Sequence, residues 1–275
     1  GHQLHVGLIP VNPWGTVFGD AAGEAYRIRY DIPTDYGTII GIIQKGTEAT
    51  NTDGTKTANM TESDDKDAYY LLYVGKLGNV NLYPGFKYAD NGNESTGFVG
   101  ILGVKGEFGN IGFESEAMVV DTDYNSAYTA ADPTKLDSRT YGAYLNVWNV
   151  SGNITAGALG AYGSSDSKGS FGFGGDFDAG GAKILGYDDT IEGALLGAFY
   201  ADYDIGDKLT IGGYAGLVKY HREDTTTQWD GAKAWELSAD AAYKITDNLV
   251  YDCGAGIAQL KWGDSSANEP DRAYR

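Results

Sequence analysis

No stretch of this chain approaches the roughly 18 uninterrupted apolar residues that a membrane-spanning helix needs, so a helical membrane protein is excluded. Cysteine occurs once, at Cys253, which rules out an internal disulfide and any cysteine-built metal framework. Histidine occurs three times, and His221 would have to converge with the distant His2 and His5 to hold a metal. No metal or other cofactor is expected. Proline occurs six times and methionine twice. Positive charge is scarce as well: 20 Lys and Arg stand against 38 Asp and Glu, a formal net charge of −18. Such a chain repels nucleic acid, and no basic patch with interleaved aromatics offsets the repulsion. No cleavable leader is expected within the residues near His2 and His5, which flank no apolar core of the needed kind. That absence fits a mature chain or a cropped piece of one.

What the 275 residues do contain is glycine and aromatics: 41 Gly, 21 Tyr, 9 Phe and 5 Trp. Much Gly and Tyr with little Pro suits many strands joined by tight turns better than helices. The mean hydropathy of −0.33 is that of a soluble protein. A membrane barrel has the same average, because only alternate residues of each strand face lipid.

The clearest stretch runs from Ala234 to Trp262. Trp235, Leu237, Ala239, Ala241 and Tyr243 alternate with Glu236, Ser238, Asp240 and Lys244, and only Ala242 breaks the polar set. A period of two means a strand with one apolar and one charged face. Thr246-Asp247-Asn248 reverses the chain. Leu249, Tyr251, Cys253, Ala255 and Ile257 then alternate with Val250, Asp252, Gly254, Gly256 and Ala258. Each arm has about ten residues or more, the length that crosses a bilayer as a tilted strand. Cys253 falls on the apolar face as a small lipid-facing residue.

The same pattern recurs along the chain. Leu4 to Ile9 reads as one strand, and Pro10 to Gly23 as a loop. Tyr26, Ile28, Tyr30 and Ile32 alternate with Arg27, Arg29 and Asp31, and a turn at Pro33-Thr34-Asp35 leads back through Gly37 to Lys45. Glu48 to Asp67 is a long polar loop. Tyr69, Leu71 and Tyr73 lead to a turn at Leu77-Gly78-Asn79, and Val80 to Tyr88 returns. Pro84 in that strand loses a ladder bond and predicts a bulge or a protomer contact. Phe98 to Val104, the turn Phe108-Gly109-Asn110 and Ile111 to Ala117 make the next hairpin. After a loop from Asp121 to Ser138, Tyr141 to Val147 and Ile154 to Tyr162 flank a turn at Val150 to Asn153. The longest connection is Ser164 to Thr190. Gly193 to Ile205, the turn Gly206-Asp207 and Leu209 to His221 precede the stretch described above.

Short turns therefore alternate with long loops throughout, the asymmetry of bacterial outer-membrane barrels. A sandwich or propeller does not sort its connections so regularly. The fold class expected is all-β: a transmembrane antiparallel up-and-down β-barrel over residues 1–275, with short periplasmic turns and long extracellular loops. About thirteen strands are legible. An odd number does not close a single-chain bacterial barrel, and the chain stops at Asp271 to Arg275 in what reads as an outer loop. Strands beyond both ends are expected.

The charged positions assign the interior. Arg27, Arg29, Asp31, Lys87, Lys105, Glu107, Glu114, Glu116, Asp202, Asp204, Glu236, Asp240 and Asp252 all alternate with apolar or small residues. A Lys or Arg facing mid-membrane lipid costs about 2–4 kcal/mol. Several such costs exceed a usual net stability of roughly 5–15 kcal/mol, so these side chains are expected to line a water-filled pore. For any one of them a salt bridge within the wall is an alternative to solute contact. Tyr30, Phe113, Tyr243 and Tyr251 are expected to form an aromatic girdle near the short turns. Tyr69, Tyr88, Phe98, Tyr141, Tyr162 and Trp235 form the opposite one. Loop acids (Asp53, Glu62, Asp64, Asp65, Asp67, Asp121, Asp123, Asp188, Asp189) read as solvated loops, or as divalent-ion bridges to a lipopolysaccharide surface.

Catalytic readings fare poorly. Phe171-Gly172-Phe173-Gly174-Gly175 lacks the strand-then-helix context of a nucleotide loop, and no Ser/His/Asp grouping stands in a recognisable context. Glu114 and Glu116 suit a glycosidase cleft or a pore wall equally, and the many similar pairs elsewhere favour the wall. No enzyme is expected.

Val6 to Asp20, VGLIPVNPWGTVFGD, is similar to the strand and loop near the start of the outer-membrane porin family, and the hairpin architecture extends that resemblance over nearly the whole chain. The resemblance implies a homotrimer of sixteen-stranded barrels in the bacterial outer membrane, in contact with its lipid and lipopolysaccharide. It implies passive diffusion of small hydrophilic solutes and ions. Two departures stand out: the family's closing strand with a terminal aromatic is absent, and Pro84 sits on the outward face. The loop from Ser164 to Thr190 is the candidate constriction, with Asp166, Phe171, Asp176 and Asp178 its candidate residues. Acidic excess among the inward residues predicts a weak cation preference. A barrel sheath around an electron-transfer cytochrome and a structural or adhesive barrel are the alternatives. The sheath needs a haem-bearing partner, because the chain has no CxxCH.

Overall fold

Alternation over ten or more residues becomes sheet in the structure, a computed structural model that describes residues 1–11, 14, 23–47, 66–92, 94–126, 130, 136–166, 168–173, 192–221, 230–262 and 273–274. The strands are β1 (Gln3–Pro10), β2 (Glu24–Thr34), β3 (Gly37–Thr47), β4 (Lys66–Leu77), β5 (Val80–Asp90), β6 (Ser95–Phe108), β7 (Ile111–Tyr124) and β8 (Ser138–Ser151). They continue with β9 (Ile154–Gly163), β10 (Ser165–Asp166), β11 (Gly169–Ser170), β12 (Ala194–Ile205), β13 (Leu209–Tyr220), β14 (Lys233–Thr246), β15 (Leu249–Lys261) and β16 (Ala273–Tyr274). Hydrogen-bonded order follows chain order from β1 to β9 and from β12 to β16, with β9 beside β12, while β10 and β11 pair only with each other. This is an antiparallel up-and-down sheet. No helix among the described residues is long and apolar enough to cross a membrane.

Two compact units divide the chain: Gly1–Val104 with Glu116–Tyr141, and Lys105–Ser115 with Gly142–Arg275. In the first, β1 to β5 form consecutive ladders, with Val6 opposite Ile28, Ile28 opposite Ile43, Ile43 opposite Tyr69 and Tyr69 opposite Tyr88. In the second, Leu145 faces Gly160, Gly160 faces Gly197, Gly197 faces Leu217, and Leu217 faces Trp235. Directly opposed residues share a face, so each row carries the alternation from strand to strand.

The short turns repeat one device. Gly78, Gly109 and Gly152 adopt φ of 61°, 62° and 59°, and each is followed by asparagine and a β-branched residue. Glycine first in a two-residue loop is the type II′ hairpin turn, whose twist matches the flanking strands. Gly152→Val is therefore expected to cost about 1–3 kcal/mol, because a β-branched residue is strained at positive φ. Urea unfolding in detergent would show a lower midpoint, and an unchanged midpoint would refute the turn assignment. Neighbouring turns also tie together: Lys76 N–H donates to Tyr36 O at 2.9 Å in the first unit, and Lys244 N–H to Lys208 O at 2.7 Å in the second.

Two expectations need correction. Pro84 makes no bulge against β4: Leu72 pairs with Gly85 and Gly75 with Leu82, so the register resumes unshifted beyond the missing rungs. The loss of one N–H interrupts the ladder without displacing it. The strands also outrun their apolar alternation. Asp67 lies in β4, and Asp121 and Asp123 lie in β7, rather than in loops. Cross-strand charge pairing holds these polar ends: Lys45 reaches Asp67 at 3.4 Å, and Arg139 pairs with Asp121. Asp53, Glu62, Asp64, Asp65, Asp188 and Asp189 lie outside the described residues.

One face of each unit is apolar and exposed. Leu4, Val6, Leu8, Tyr26 and Ile28 cover it in the first unit, and Leu195, Phe199, Leu217 and Leu237 in the second. Of the aromatics expected in the girdles, Tyr30, Tyr69, Tyr88, Phe98, Tyr141, Tyr162, Tyr243 and Tyr251 are exposed, while Phe113 and Trp235 are half-buried. Cys253, also exposed, stands opposite Ala241 on this face.

Candidate functional site: the charged face

The opposite face collects the charges. In the first unit Arg27, Arg29 and Asp31 alternate with the exposed Tyr26, Ile28 and Tyr30, and the ladder continues Arg27 to Gln44, Gln44 to Ala68 and Tyr70 to Lys87. Arg29 grips Asp31 through two bonds, Nε to Oδ1 at 2.7 Å and NH2 to Oδ2 at 2.9 Å. Arg27, only 9 % exposed, donates from Nε and NH2 to Gln44 Oε1 at 2.8 and 2.6 Å, and from NH1 to Pro10 O at 3.4 Å. The Tyr70 hydroxyl donates to the same Gln44 oxygen at 3.3 Å. Arg27 and Lys87 flank the Tyr70 ring at 5.5 and 5.8 Å from its centre, a cation–π arrangement. The two neighbouring arginines thus differ: Arg29 is neutralised by Asp31, while Arg27 keeps its charge against neutral acceptors.

Trp14 belongs to this face as well. Its indole occupies the space where a Cβ on Gly85 would stand, beside Leu72, halfway along β5. The indole Nε1 is buried with no hydrogen-bond partner among the described residues. The Trp14 side chain therefore reaches the middle of the wall, which only glycine at position 85 permits. Glu116, also in this unit, is wholly buried.

The second unit is acidic. Lys105 Nζ lies 2.7 Å from Glu114 Oε2, and the Tyr144 hydroxyl donates to Glu114 Oε1 at 2.8 Å. Asp202 pairs with Gly212, and Gly212 with Asp240. Both carboxylates lean into the space above that glycine. Thr210 donates to Asp204 Oδ1 at 2.6 Å, and the Tyr200 hydroxyl to Asn146 Oδ1 at 2.9 Å. Glu236 is 1 % exposed between Gly216 and Ala258. Asp252 shares this face through its pairing with Ala242, and Glu107 through its alternation with Lys105. In the ladders described, Arg27, Arg29, Asp31, Lys87, Asp202, Glu236, Asp240 and Asp252 thus stand on the side of their strands away from the exposed apolar residues.

Phe171 and Phe173, after β11, also pack onto this face. Phe171, 4 % exposed, fills the space above Gly142 and, through its carbonyl, Gly163, and Phe173, 2 % exposed, meets it edge-on at 5.9 Å. Phe171 N–H donates to Ser164 O at 2.8 Å, and Gly193 N–H to Phe171 O at 3.0 Å. Asp166 closes the small β10–β11 hairpin by accepting from the N–H groups of Lys168 and Gly169 at 2.8 and 3.0 Å. Its carboxylate therefore serves the turn. Asp176 and Asp178 lie outside the described residues.

Sequence reasoning missed Trp14, Gln44 and Tyr70 as parts of this face. Gln44 and Tyr70 carried a usable signal, since they alternate with Ile43, Tyr69 and Leu71. Trp14 carried none, because no periodicity runs through its loop. No cluster of three His, Cys, Asp or Glu suited to a metal ion occurs among the described residues.

No family model matches the chain, and no curated protein matches it in sequence. Solved structures do match. OccK9 (OpdG) of Pseudomonas aeruginosa aligns over 99 % of this chain and 71 % of its own, at 13 % identity and a TM-score of 0.54. The outer membrane protein OpdK of the same species aligns over 100 % and 74 %, at 13 % identity and 0.53. OccAB2 of Acinetobacter baumannii aligns over 99 % and 72 %, at 12 % identity and 0.52. These neighbours are outer-membrane β-barrel porins. Likeness at such low identity establishes architecture, and that architecture agrees with strand order, face and turn asymmetry alike: the chain has the fold of a bacterial outer-membrane porin.

Proposed function

We propose that residues 1–275 contribute to one porin barrel that works as a passive channel for small hydrophilic solutes and ions, with a weak preference for cations. The observation that carries this reading is the pairing of a charged face with an exposed apolar face on the same strands. Charges on so many strands need water, and the exposed leucines, tyrosines and phenylalanines on the reverse need lipid. The reading assigns no chemistry to the chain, so it is a channel and not an enzyme. The charged inner wall comprises Arg27, Arg29, Asp31, Lys87, Lys105, Glu107, Glu114, Asp202, Asp204, Asp240 and Asp252, with Glu116 and Glu236 buried beneath its surface, and the β10–β11 segment with Phe171 narrows the path. A homotrimer in outer-membrane lipid is the assembly that the porin resemblance implies.

Selectivity follows from local charge. Asp202 and Asp240 converge above Gly212, which raises the local cation concentration in a narrow aqueous path. Arg27 and Lys87 oppose that effect on their own wall, which keeps the preference weak. Planar-bilayer recording tests both parts. The folded protein is expected to conduct. Its reversal potential in a KCl gradient should favour K⁺ at low salt and fade as the Debye length falls towards about 8 Å near 0.15 M. Asp202→Asn with Asp240→Asn should diminish the preference further. A folded protein without conductance, or a clear anion preference at low salt, overturns the proposal.

A further inference from the structure

Lysine is scarce in this acidic chain, yet three lysines line up on the apolar face of the second unit. Cα pairing sets Lys219 opposite Lys233, and Lys233 opposite Lys261. All three are exposed, and none has an ion-pair partner among the described residues. Strands about 4.8 Å apart place them in a row spanning roughly 10 Å. Like charges directly opposite one another destabilise a sheet, so the row is unfavourable unless an anion bridges it.

The row crowns a groove. Leu195, Leu217, Trp235 and Gln259 line it together with the three lysines, around a volume of about 710 Å³. The Trp235 indole N–H donates to Gln259 Oε1 at 3.1 Å, so the indole's one polar group is satisfied and the aromatic and aliphatic side chains dominate the floor. The lysines stand where β13 to β15 meet the long connections, and long connections face outward in this fold. Ammonium groups at the rim above an aromatic and aliphatic floor match the two halves of an anionic lipid.

We propose that Lys219, Lys233 and Lys261 bind the phosphate groups of a phosphorylated outer-leaflet lipid whose acyl chain lies along Leu195, Leu217 and Trp235. This site rests on the placement of the apolar face in the membrane and not on conduction. Each lysine near an anionic headgroup contributes comparably, so removing all three is expected to weaken binding on the order of a hundredfold.

The test uses the full chain, purified in detergent, refolded free of lipid and titrated with diphosphorylated lipid A under native mass spectrometry. The wild type should retain the lipid, and the Lys219→Gln, Lys233→Gln, Lys261→Gln triple variant should not, with an unchanged heat-dependent gel shift confirming its fold. Leu217→Asn, which keeps every lysine, should also weaken retention. Dephosphorylated lipid A should bind the wild type no better than the triple variant binds lipid A. Equal retention by wild type and triple variant overturns the site. So does full displacement by millimolar inorganic phosphate, which would mark a free-anion site. Bilayer conductance on the same preparations separates the two readings. A conducting barrel that retains no lipid A defeats only the lipid site, and a barrel that retains lipid A without conducting defeats only the channel.

Discussion

Replacing Phe173 with alanine is expected to release the β10–β11 segment from the charged face of its unit. The side chain is 2 % exposed and packs edge-on against Phe171, which in turn covers Gly142. Truncating a buried Phe to Ala costs about 3–5 kcal/mol through lost transfer energy and the cavity left behind. The segment is also held by the Phe171 ring over Gly142 and by backbone hydrogen bonds at Phe171 and Gly193. The cost therefore falls on local opening more than on the long ladders. Lys168 is exposed at the tip of the hairpin, and trypsin cleaves there only when the surrounding chain opens into the protease. When opening is fast compared with cleavage, the rate follows the open population. A loss of about 3 kcal/mol raises that population roughly a hundredfold. Cleavage after Lys168 should accelerate by that order, while the urea midpoint of the sheet moves little. An unchanged cleavage rate would mean that Phe173 does not anchor the segment. If the segment narrows the pore as proposed, single-channel conductance rises in the same variant.

Phe199→Arg should be the most damaging single change on the apolar face. Phe199 is 72 % exposed halfway along β12, between Ala158 on one side and Ala215 on the other. An arginine at the bilayer midplane of a barrel costs about 2–4 kcal/mol, against about 0–1 near the interface. Tyr203, on the same face of the same strand but four residues nearer the short turn, supplies the comparison. Tyr203→Arg should be nearly neutral. Both costs can be read from urea titrations of barrels refolded into lipid vesicles. A detergent micelle blurs the contrast, because it has no fixed midplane. Equal costs at the two positions would show that this face does not lie across a bilayer.

The amino-acid sequence by itself determined the strands, their faces and their turns. Those properties depend on near neighbours: a period of two puts Arg27 and Tyr26 on opposite sides whatever the strand pairs with. Glycine before asparagine favours a tight reversal for local steric reasons, so three hairpins were legible at Gly78, Gly109 and Gly152. The candidate pore-lining residues followed from the same alternation. Where the apolar pattern fades, the sequence predicts a loop at Asp121 and Asp123, whereas ladder bonds carry β7 on to Tyr124.

Tertiary structure decided everything that depends on register or on a loop's return path. Lys219, Lys233 and Lys261 are separated by long intervals of chain, and only two ladders bring them into one row. Slipping either ladder by one residue would send its lysine to the other face. Arg27 finds Gln44 across one strand and Tyr70 across two. Trp14 and Phe171 lie in stretches without periodicity, and each was placed by a glycine distant in sequence, Gly85 and Gly142, that leaves room for an aromatic ring. A missing side chain on one strand says nothing about which loop will fill it, because that choice is made by packing across the sheet and not by local chain preference.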